Sequence, residues 1–474
     1  MLTTPISARA VERNGRPPMA LGWCLAQEIT QPRRSNNLRS GKLAPRSSLP
    51  ATYADDPAAI IFTSGSTGPP KGVLYTQRMF DTQVAEIQSM YGIQPGGVDL
   101  ACFPLFALFN SAMGVTTVLP DMNFSRPAAA DAKKLLAAAK DWRVTQAFAS
   151  PAVWRVLSEY CAKTGEQVES LRQVFSCGAA VPANVLRGTL ACVANGAKMH
   201  TPYGATECLP VATIEAAEVL NETARRTDEG AGVCVGRRFD SIDWRIIRIT
   251  DEPIASIDDA EELQPGEIGE LIVRGPQVSP KYATCVESNA LSKTRGGASA
   301  ECRIRSAENC SPSTLHTPHS TLPIWHRTGD VGYLDDQSRF WYCGRKSQRV
   351  ETADGPLYTE CIEAIFNNHS GVRRSALVGV GWRGKQRPVL VVELESSLVR
   401  SKWRPQLLQY AQEQPGTGMI RHFLAYPLLP VDMRHNAKIN RELLALWSSH
   451  RIKLPSSAQT FVTVRSHAER GNEV

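Results

Sequence analysis

The residues with the clearest chemical capacity lie in a short loop rich in glycine and hydroxyl side chains, directly after the apolar run at 58–62. Glycines let the main chain approach an anion closely, while hydroxyl and backbone N–H groups donate hydrogen bonds to it. A lysine at the end of the loop adds a compact positive charge. The pattern predicts a phosphate-binding loop at the end of a buried strand. Its residues are Thr63, Ser64, Gly65, Ser66, Thr67, Gly68 and Lys71.

This loop differs from the P-loop of ordinary NTPases. The P-loop pattern requires a glycine before the lysine and a hydroxyl after it, whereas this chain has Pro70 and Gly72 at those positions. A flexible Ser/Gly linker is the alternative reading of the composition. Such a linker needs neither the apolar strand before it nor the lysine after it, so we favour a phosphate site of another class.

A second motif follows the strand-like residues at 198–200. The ring of Tyr203 offers a stacking face for a purine, and the Thr206 hydroxyl can reach a phosphate oxygen. The carboxylate of Glu207 suits Mg²⁺, and Gly204 lies within the motif. Alone, the motif could be an ordinary turn. Together with the phosphate loop, it predicts a nucleotide site.

Two further motifs supply the remaining three residues of the candidate site. Asp330 can accept hydrogen bonds from ribose hydroxyls, and Arg345 can donate to the ribose or the α-phosphate. Lys438 can place positive charge between an attacking carboxylate and the α-phosphate. Each has an ordinary alternative, namely a turn aspartate, a surface cation and a surface lysine. Their order along the chain favours the functional interpretation.

Strand-like and helical patterns alternate between residues 58 and 278. This alternation predicts an α/β fold with a mostly parallel sheet and helices on its faces. Ligands on such sheets gather at the carboxyl ends of strands, where the phosphate loop is expected to fall. The predicted strands are 58–62, 116–119, 145–149 and 173–176, and the predicted helices are 79–90 and 130–140.

The later part of the chain has a different predicted secondary structure. Short strands at 244–249 and 271–273, with a turn at 265–270, predict a small antiparallel sheet or β-barrel. Beyond residue 344, strands at 376–380 and 389–393 mix with helices at 359–367 and 440–447, which predicts an α+β domain. The expected organisation is a basic disordered tail at 1–50, a large domain at 51–343 with a disordered insertion at 296–323, and a small domain at 344–474.

Composition places the chain among globular proteins and excludes several classes. Of its 474 residues, 42% are hydrophobic and 21% are charged, with a formal net charge of +7. The basic residues near the start lack the motifs of nucleic-acid binding, and no apolar run is long enough for a transmembrane segment. Twelve scattered cysteines fit a reducing compartment, so we expect a cytoplasmic protein. No familiar zinc spacing links Cys302, Cys310, His316 and His319.

The four motifs, in this order, resemble those of the adenylate-forming superfamily, which includes acyl-CoA synthetases, luciferases and peptide-synthetase adenylation domains. The resemblance covers about residues 55–450. It implies a large AMP-binding domain, a small domain that swings about a hinge near Arg345, and ATP with Mg²⁺ in the cleft. It adds Gly178 and Ala179 to the nucleotide-binding residues. It implies catalytic roles for Lys438, Thr206 and Lys71.

Within the superfamily, the segments 103–109, 203–211, 343–347 and 434–438 look most similar to β-lactone synthetases of olefin biosynthesis. That branch implies formation of an acyl-AMP from a fatty-acid-type carboxylate, closure of a β-lactone, and partner enzymes of a lipid or olefin pathway. A fatty-acid CoA ligase with CoA as acceptor, or a peptide-synthetase-like adenylation enzyme, is the alternative. The apolar segments 103–109 and 211–214 are expected to line the acyl pocket or to form plain core.

Departures from the superfamily pattern bear on the acceptor and on the start of the chain. Ser347 replaces the usual hinge Asp or Lys, and Ala437 replaces a glycine before the catalytic lysine. These changes weaken the case for thioester formation more than the case for adenylation. Only a basic, Pro/Ser-rich stretch precedes Tyr53, so the large domain is expected to be truncated at its N-terminus relative to the family. A non-catalytic nucleotide-binding remnant is therefore a second alternative.

Overall fold

The computed structural model describes residues 52–63, 69–104, 107–296, 324–395, 402–431 and 438–452. The predicted tail at 1–50 lies outside these ranges. So does the predicted insertion at 296–323, apart from Gly296.

The phosphate loop joins two antiparallel strands, β1 (Pro57–Phe62) and β2 (Gly72–Thr76), which form a separate two-stranded sheet. The prediction that the run at 58–62 is a buried strand of the parallel sheet is therefore wrong. Alternate residues of β1 pack on a small cluster around β2, while Ile60 and Phe62 remain 51% and 58% exposed. Successive side chains of a β-strand point to opposite faces, so one face of β1 packs on the cluster while the other remains exposed.

Twelve strands form one continuous mixed sheet. The order across the sheet is β10-β11-β13-β14-β9-β8-β7-β6-β5-β3-β4, and β12 pairs with β13. The bounds are β3 (Val98–Ala101), β4 (Thr116–Val118), β5 (Gln146–Ala149), β6 (Gln173–Ser176), β7 (Lys198–Ala205), β8 (Cys208–Glu215), β9 (Val233–Arg238), β10 (Asp243–Ile247), β11 (Gly269–Arg274), β12 (Lys293–Arg295), β13 (Ile324–Leu334) and β14 (Phe340–Arg345).

The strands from β4 to β7 are parallel, as the alternating pattern predicts. Helices connect them and cover the sheet, and the core between contains buried Val, Leu and Ala side chains. The helices of this part are α1 (Gln77–Tyr91), α2 (Ala107–Ala112), α3 (Ala132–Asp141), α4 (Pro151–Thr164) and α5 (Ala183–Ala191); α6 (Ala216–Glu218), a π-helical turn (Val219–Thr223) and α7 (Ala224–Asp228) follow, and α8 (Ser288–Ser292) precedes β12.

Local signals explain where these helices begin and end. Thr76 caps α1 by accepting a hydrogen bond from the Met79 backbone N–H, and Gly92 ends it with a positive φ of 63°. Asp131 caps α3 by accepting from two backbone N–H groups. Pro151 stands in the first turn of α4, where its missing N–H costs nothing.

From β8 onward the strands of the large sheet pair antiparallel. Among the described residues, β10 and β4 end the sheet and do not pair with each other, so no closed barrel forms. The predicted barrel is therefore wrong. Its strands extend the parallel sheet through the β7–β8 hairpin, because a two-residue turn at 206–207 reverses the chain directly onto its neighbour.

The smaller C-terminal domain contains a hairpin and a three-stranded sheet. In the sheet, the first two strands pair antiparallel and the last two pair parallel. Its elements are β15 (Val350–Thr352), β16 (Gly355–Leu357), α9 (Thr359–Asn367), β17 (Val372–Val380), β18 (Arg387–Leu394), α10 (Trp403–Glu413), β19 (His422–Ala425) and α11 (Arg441–Ser449). Alternate residues of β17 and β18 enter two different hydrophobic clusters, so both faces of this sheet are covered.

No helix in the described ranges is long and apolar enough to span a membrane.

Candidate active site

The β7–β8 hairpin presents the second motif at its turn. Ala205 pairs with Cys208, which leaves Thr206 and Glu207 as the two turn residues. Gly204 is needed beside them, because a Cβ at this position would lie 2.9 Å from the Cys208 carbonyl oxygen. The hydroxyl of Tyr75 donates a 2.7 Å hydrogen bond to the Thr206 carbonyl oxygen and so ties the turn to β2.

Thr63 and Lys71 close the base of the phosphate loop. The Thr63 N–H donates to the Lys71 carbonyl at 3.0 Å, and the Lys71 N–H donates to the Thr63 hydroxyl at 3.0 Å. This hydroxyl therefore organises the loop through the backbone. The other predicted loop residues, which lie outside the described residues, are Ser64, Gly65, Ser66, Thr67 and Gly68.

The segment 277–284 connects the phosphate-loop hairpin to the Glu207 turn. The Ser279 N–H donates to the Glu207 carbonyl at 2.8 Å, and the Ser279 hydroxyl donates to the Leu74 carbonyl at 2.7 Å. The Gly72 N–H donates to the Thr284 hydroxyl at 2.7 Å. Sequence reasoning missed this segment. The available signal was a tyrosine among hydroxyl side chains just beyond the predicted strand at 271–273.

Tyr282 brings Glu207 and Lys71 together. Its hydroxyl donates a 2.6 Å hydrogen bond to Oε1 of Glu207, and Nζ of Lys71 lies 5.0 Å from the centre of its ring. An ammonium at this distance from an aromatic ring is attracted to it. Burial, followed by the charge of Glu207, raises the pKa of Tyr282, so the phenol remains a hydrogen-bond donor at neutral pH.

The donor set around Glu207 fits a magnesium ion held jointly with nucleotide phosphates. The described residues contain no group of three or more His, Cys, Asp or Glu side chains that could hold a metal. Mg²⁺ in nucleotide sites ordinarily uses one or two carboxylates and completes its shell with phosphate oxygens and water. One oriented carboxylate beside a lysine-closed phosphate loop matches that requirement.

Asp330 and Arg345 face each other on the paired strands β13 and β14. Nη1 of Arg345 donates to Oδ1 of Asp330 at 2.5 Å and to the Thr328 carbonyl at 2.9 Å. The Tyr203 hydroxyl donates to the other carboxylate oxygen, Oδ2. Asp330 raises the pKa of Arg345, and each of its oxygens retains a lone pair for a ribose hydroxyl.

Tyr203 is packed more tightly than a free stacking platform would be. Its ring centre lies 5.8 Å from that of Phe340 and 6.4 Å from that of Tyr342. Burial raises the pKa of Tyr203 well above its ordinary value, so its hydroxyl serves as a donor to Asp330. The tyrosine thus links the Glu207 turn to the Asp330–Arg345 pair.

Lys438 lies near the carboxyl end of β6. Burial raises the pKa of the Cys177 thiol to about 12, and the positive charge of Lys438 acts in the opposite direction. Cys177 is followed by Gly178, which has a positive φ of 94°, and by Ala179. The charge of this lysine of the C-terminal domain thus acts at the strand end that carries two predicted nucleotide-binding residues.

The two segments predicted to line an acyl pocket contribute to one apolar cluster. Phe109, Val211 and Ala212 are buried together in it, whereas Leu108 is exposed. Residues 105–106 of the first segment lie outside the described residues. Joint burial in one cluster is compatible with a pocket wall and equally with ordinary core.

A known protein family matches a large part of this chain. The profile of the family described as AMP-binding enzyme matches residues 11–283. The chain belongs to the AMP-binding enzyme family. The resemblance to adenylate-forming enzymes is thereby confirmed.

Two relatives of this AMP-binding enzyme support the predicted branch. This chain is 46% identical over 406 residues to the olefin beta-lactone synthetase of Xanthomonas campestris pv. campestris. The alignment covers 85% of this chain and 69% of the relative. This chain is also 46% identical over 403 residues to the olefin beta-lactone synthetase of Stenotrophomonas maltophilia. That alignment covers 85% of this chain and 68% of the relative. The resemblance to the β-lactone synthetase branch is confirmed.

Solved structures confirm the fold of this AMP-binding enzyme. The O-succinylbenzoate coenzyme A synthetase MenE of Bacillus subtilis, in complex with ATP and a magnesium ion, aligns with a TM-score of 0.62 at 22% identity. The alignment covers 83% of this chain and 70% of MenE. At this identity the comparison establishes the fold alone.

Proposed function

We propose that this enzyme uses ATP to activate a fatty-acid-type carboxylate as an acyl-AMP, and then closes a β-lactone from a 2-alkyl-3-hydroxy acid. The observation that carries the proposal is the contact chain from Lys71 through Tyr282 and Glu207 to the β7–β8 turn, and from Tyr203 on that hairpin to Asp330. The two relatives named olefin beta-lactone synthetase support the choice of product.

The phosphate end of the nucleotide would lie between the loop at 63–71 and Glu207. Lys71 would bind the β- and γ-phosphates with the backbone of the loop, and Glu207 would hold Mg²⁺ in the orientation set by Tyr282. The magnesium ion, when bound, would neutralise part of the phosphate charge. Thr206 belongs to the same turn, and its hydroxyl would bind an α-phosphate oxygen.

The nucleoside end would lie between Asp330, Arg345 and the β6 end. Asp330 is prepared to accept the ribose hydroxyls, because Tyr203 and Arg345 hold its carboxylate in place. Gly178 and Ala179 would contribute backbone contacts beside the nucleotide. We also propose that residues 344–474 form the mobile domain that delivers Lys438.

The first half-reaction is an in-line displacement at the α-phosphorus. A carboxylate oxygen forms the new bond to phosphorus while the bond to pyrophosphate breaks. Lys438 and Thr206 stabilise the negative charge on the α-phosphate oxygens in the transition state. The products are acyl-AMP and pyrophosphate.

The second half-reaction uses an acceptor that is already part of the substrate. The β-hydroxyl oxygen attacks the acyl carbon, its proton passes to solvent, and the bond to AMP breaks. The departures at Ser347 and Ala437 are consistent with an acceptor other than CoA. The strained product would require a further enzyme of a lipid or olefin pathway to consume it, and we propose that both act in the cytoplasm.

The deciding experiment measures AMP release and lactone formation from a 2-alkyl-3-hydroxy acid in the absence of CoA. The matched control substrate is the same 2-alkyl acid without the hydroxyl. It should support pyrophosphate exchange but neither AMP turnover nor lactone formation. Obligate dependence on CoA would identify a CoA ligase instead. Binding of ATP without carboxylate-dependent pyrophosphate exchange would identify a nucleotide-binding remnant.

A further inference from the structure

Lys293, the first residue of β12, places a partly buried ammonium group beside the candidate site. Its Nζ donates a 2.6 Å hydrogen bond to the Ser279 carbonyl. Burial lowers the pKa of Lys293 to about 8, and Cys208 and Glu207 act in the opposite direction. Within the described ranges no carboxylate is in ion-pairing contact with this ammonium, whereas Arg327 pairs with Glu270 at 2.6 Å.

This arrangement is costly for stability alone. A charge partly withdrawn from water without an ionic partner lowers stability, and an apolar side chain of similar length would fill the same space without that cost. The carboxylate whose charge acts on Lys293 through space is that of Glu207. The negative charge of bound phosphates would offset this cost.

Lys293 also supports the residues that orient Glu207. Its Nζ lies 5.6 Å from the centre of the Tyr282 ring, which Lys71 approaches to 5.0 Å. The backbone of Tyr282 is held separately, because its N–H donates to Oδ1 of Asn289 at 2.8 Å. The ring thus lies within reach of two ammonium groups while its hydroxyl is bound to the carboxylate.

We propose that Lys293 is a positioning residue for the phosphate end of the nucleotide, acting through the Ser279 carbonyl and the Tyr282 ring. It holds the segment 277–284 against both the phosphate-loop hairpin and the Glu207 turn. Its positive charge offsets part of the negative charge of the nucleotide phosphates that bind in the site. This inference rests on the proposed function, since it assigns Lys293 to the same nucleotide site.

The test compares Lys293→Met with Lys293→Arg. Methionine keeps the length and apolar packing of the chain but removes the charge. We expect the apparent KM for Mg·ATP in carboxylate-dependent pyrophosphate exchange to rise about tenfold or more, with the KM for the carboxylate unchanged. Calorimetric binding of Mg·ATP should weaken by a similar factor. The Tm should stay the same or rise, and Lys293→Arg should recover part of the affinity. Lys133→Met, on the exposed face of α3, is the matched control.

An unchanged Mg·ATP affinity in Lys293→Met would overturn the inference. So would a fall in Tm that accompanies the loss of activity and is not rescued by arginine, because that result indicates a structural role. If Lys293→Met fails to fold, Lys293→Gln supplies the same comparison. A wild-type protein that binds Mg·ATP but shows no exchange would remove the proposed function, while calorimetry on the variants would still decide the role of Lys293.

Discussion

The hydroxyl of Tyr282 donates a 2.6 Å hydrogen bond to Oε1 of Glu207, a residue 75 positions earlier in the chain. Tyr282 is 3% exposed, and Asn289 holds its backbone, so the donor has little freedom to move. A carboxylate that is held by one oxygen presents the other in a defined direction. This contact orients the candidate magnesium ligand before any nucleotide binds.

We expect Tyr282→Phe to weaken the apparent affinity for Mg²⁺ by about ten- to a hundredfold, because residues that orient a metal ligand contribute on that scale. The measurement is a Mg²⁺ titration of pyrophosphate exchange at fixed ATP. Tyr160→Phe is the control, since the Tyr160 hydroxyl makes only a 3.4 Å contact with Glu166 away from the site. Equal Mg²⁺ dependence in wild type and Tyr282→Phe would argue against the role.

Lys438→Ala should slow acyl-AMP formation about a hundredfold, on the order of 3 kcal/mol, if the lysine stabilises charge at the α-phosphate. Carboxylate-dependent pyrophosphate exchange reports this step. Lys385→Ala serves as the control, because that lysine is exposed in the same C-terminal domain. Exchange at the wild-type rate in Lys438→Ala would remove this residue from the mechanism.

Glu270→Gln should lower the free energy of unfolding by about 3–5 kcal/mol, because it leaves the buried guanidinium of Arg327 without its carboxylate. The two side chains are each 1% exposed and pair at 2.6 Å, with Lys346 also 3.1 Å from Glu270. Urea unfolding measures the change. Glu262→Gln, at a partly exposed ion pair with Arg245, should change stability by less than about 1 kcal/mol. Equal effects of the two substitutions would contradict the prediction.

Asp99 should make stability depend on pH. Burial raises its pKa from 3.8 to about 6, although Asn110 donates a 2.8 Å hydrogen bond to it. The folded state therefore binds the proton more tightly than the unfolded state, and the stabilisation present below about pH 4 is lost as pH rises through about 6. The loss amounts to up to about 3 kcal/mol.

Asp99→Asn cannot ionise and should escape this loss. Relative to wild type, its free energy of unfolding should improve between pH 4.5 and pH 7.5 in urea unfolding experiments. A difference between the two proteins that stays constant across this range would show that Asp99 does not titrate as described.

Regular elements were predictable where neighbouring residues decide them. The predicted strand at 173–176 and helix at 359–367 have the observed bounds, because short apolar runs and helical periodicity are local patterns. The capped helix α1 begins within two residues of its predicted start for the same reason. The partner of β1 was not predictable in this way, since a short apolar run such as 58–62 suits either a buried parallel strand or one arm of a hairpin.

Residue types by themselves determined the candidate chemistry: a lysine-closed glycine loop for phosphate, a Tyr-Gly-x-Thr-Glu motif for nucleotide and metal, and an Asp and an Arg for ribose. Only the tertiary structure decided that the β-strands after β8 extend one open sheet, that Tyr203 links Glu207's hairpin to Asp330, and that the segment 277–284 joins the hairpins. These are contacts between residues far apart in sequence, which depend on strand pairing and side-chain packing that no local pattern specifies.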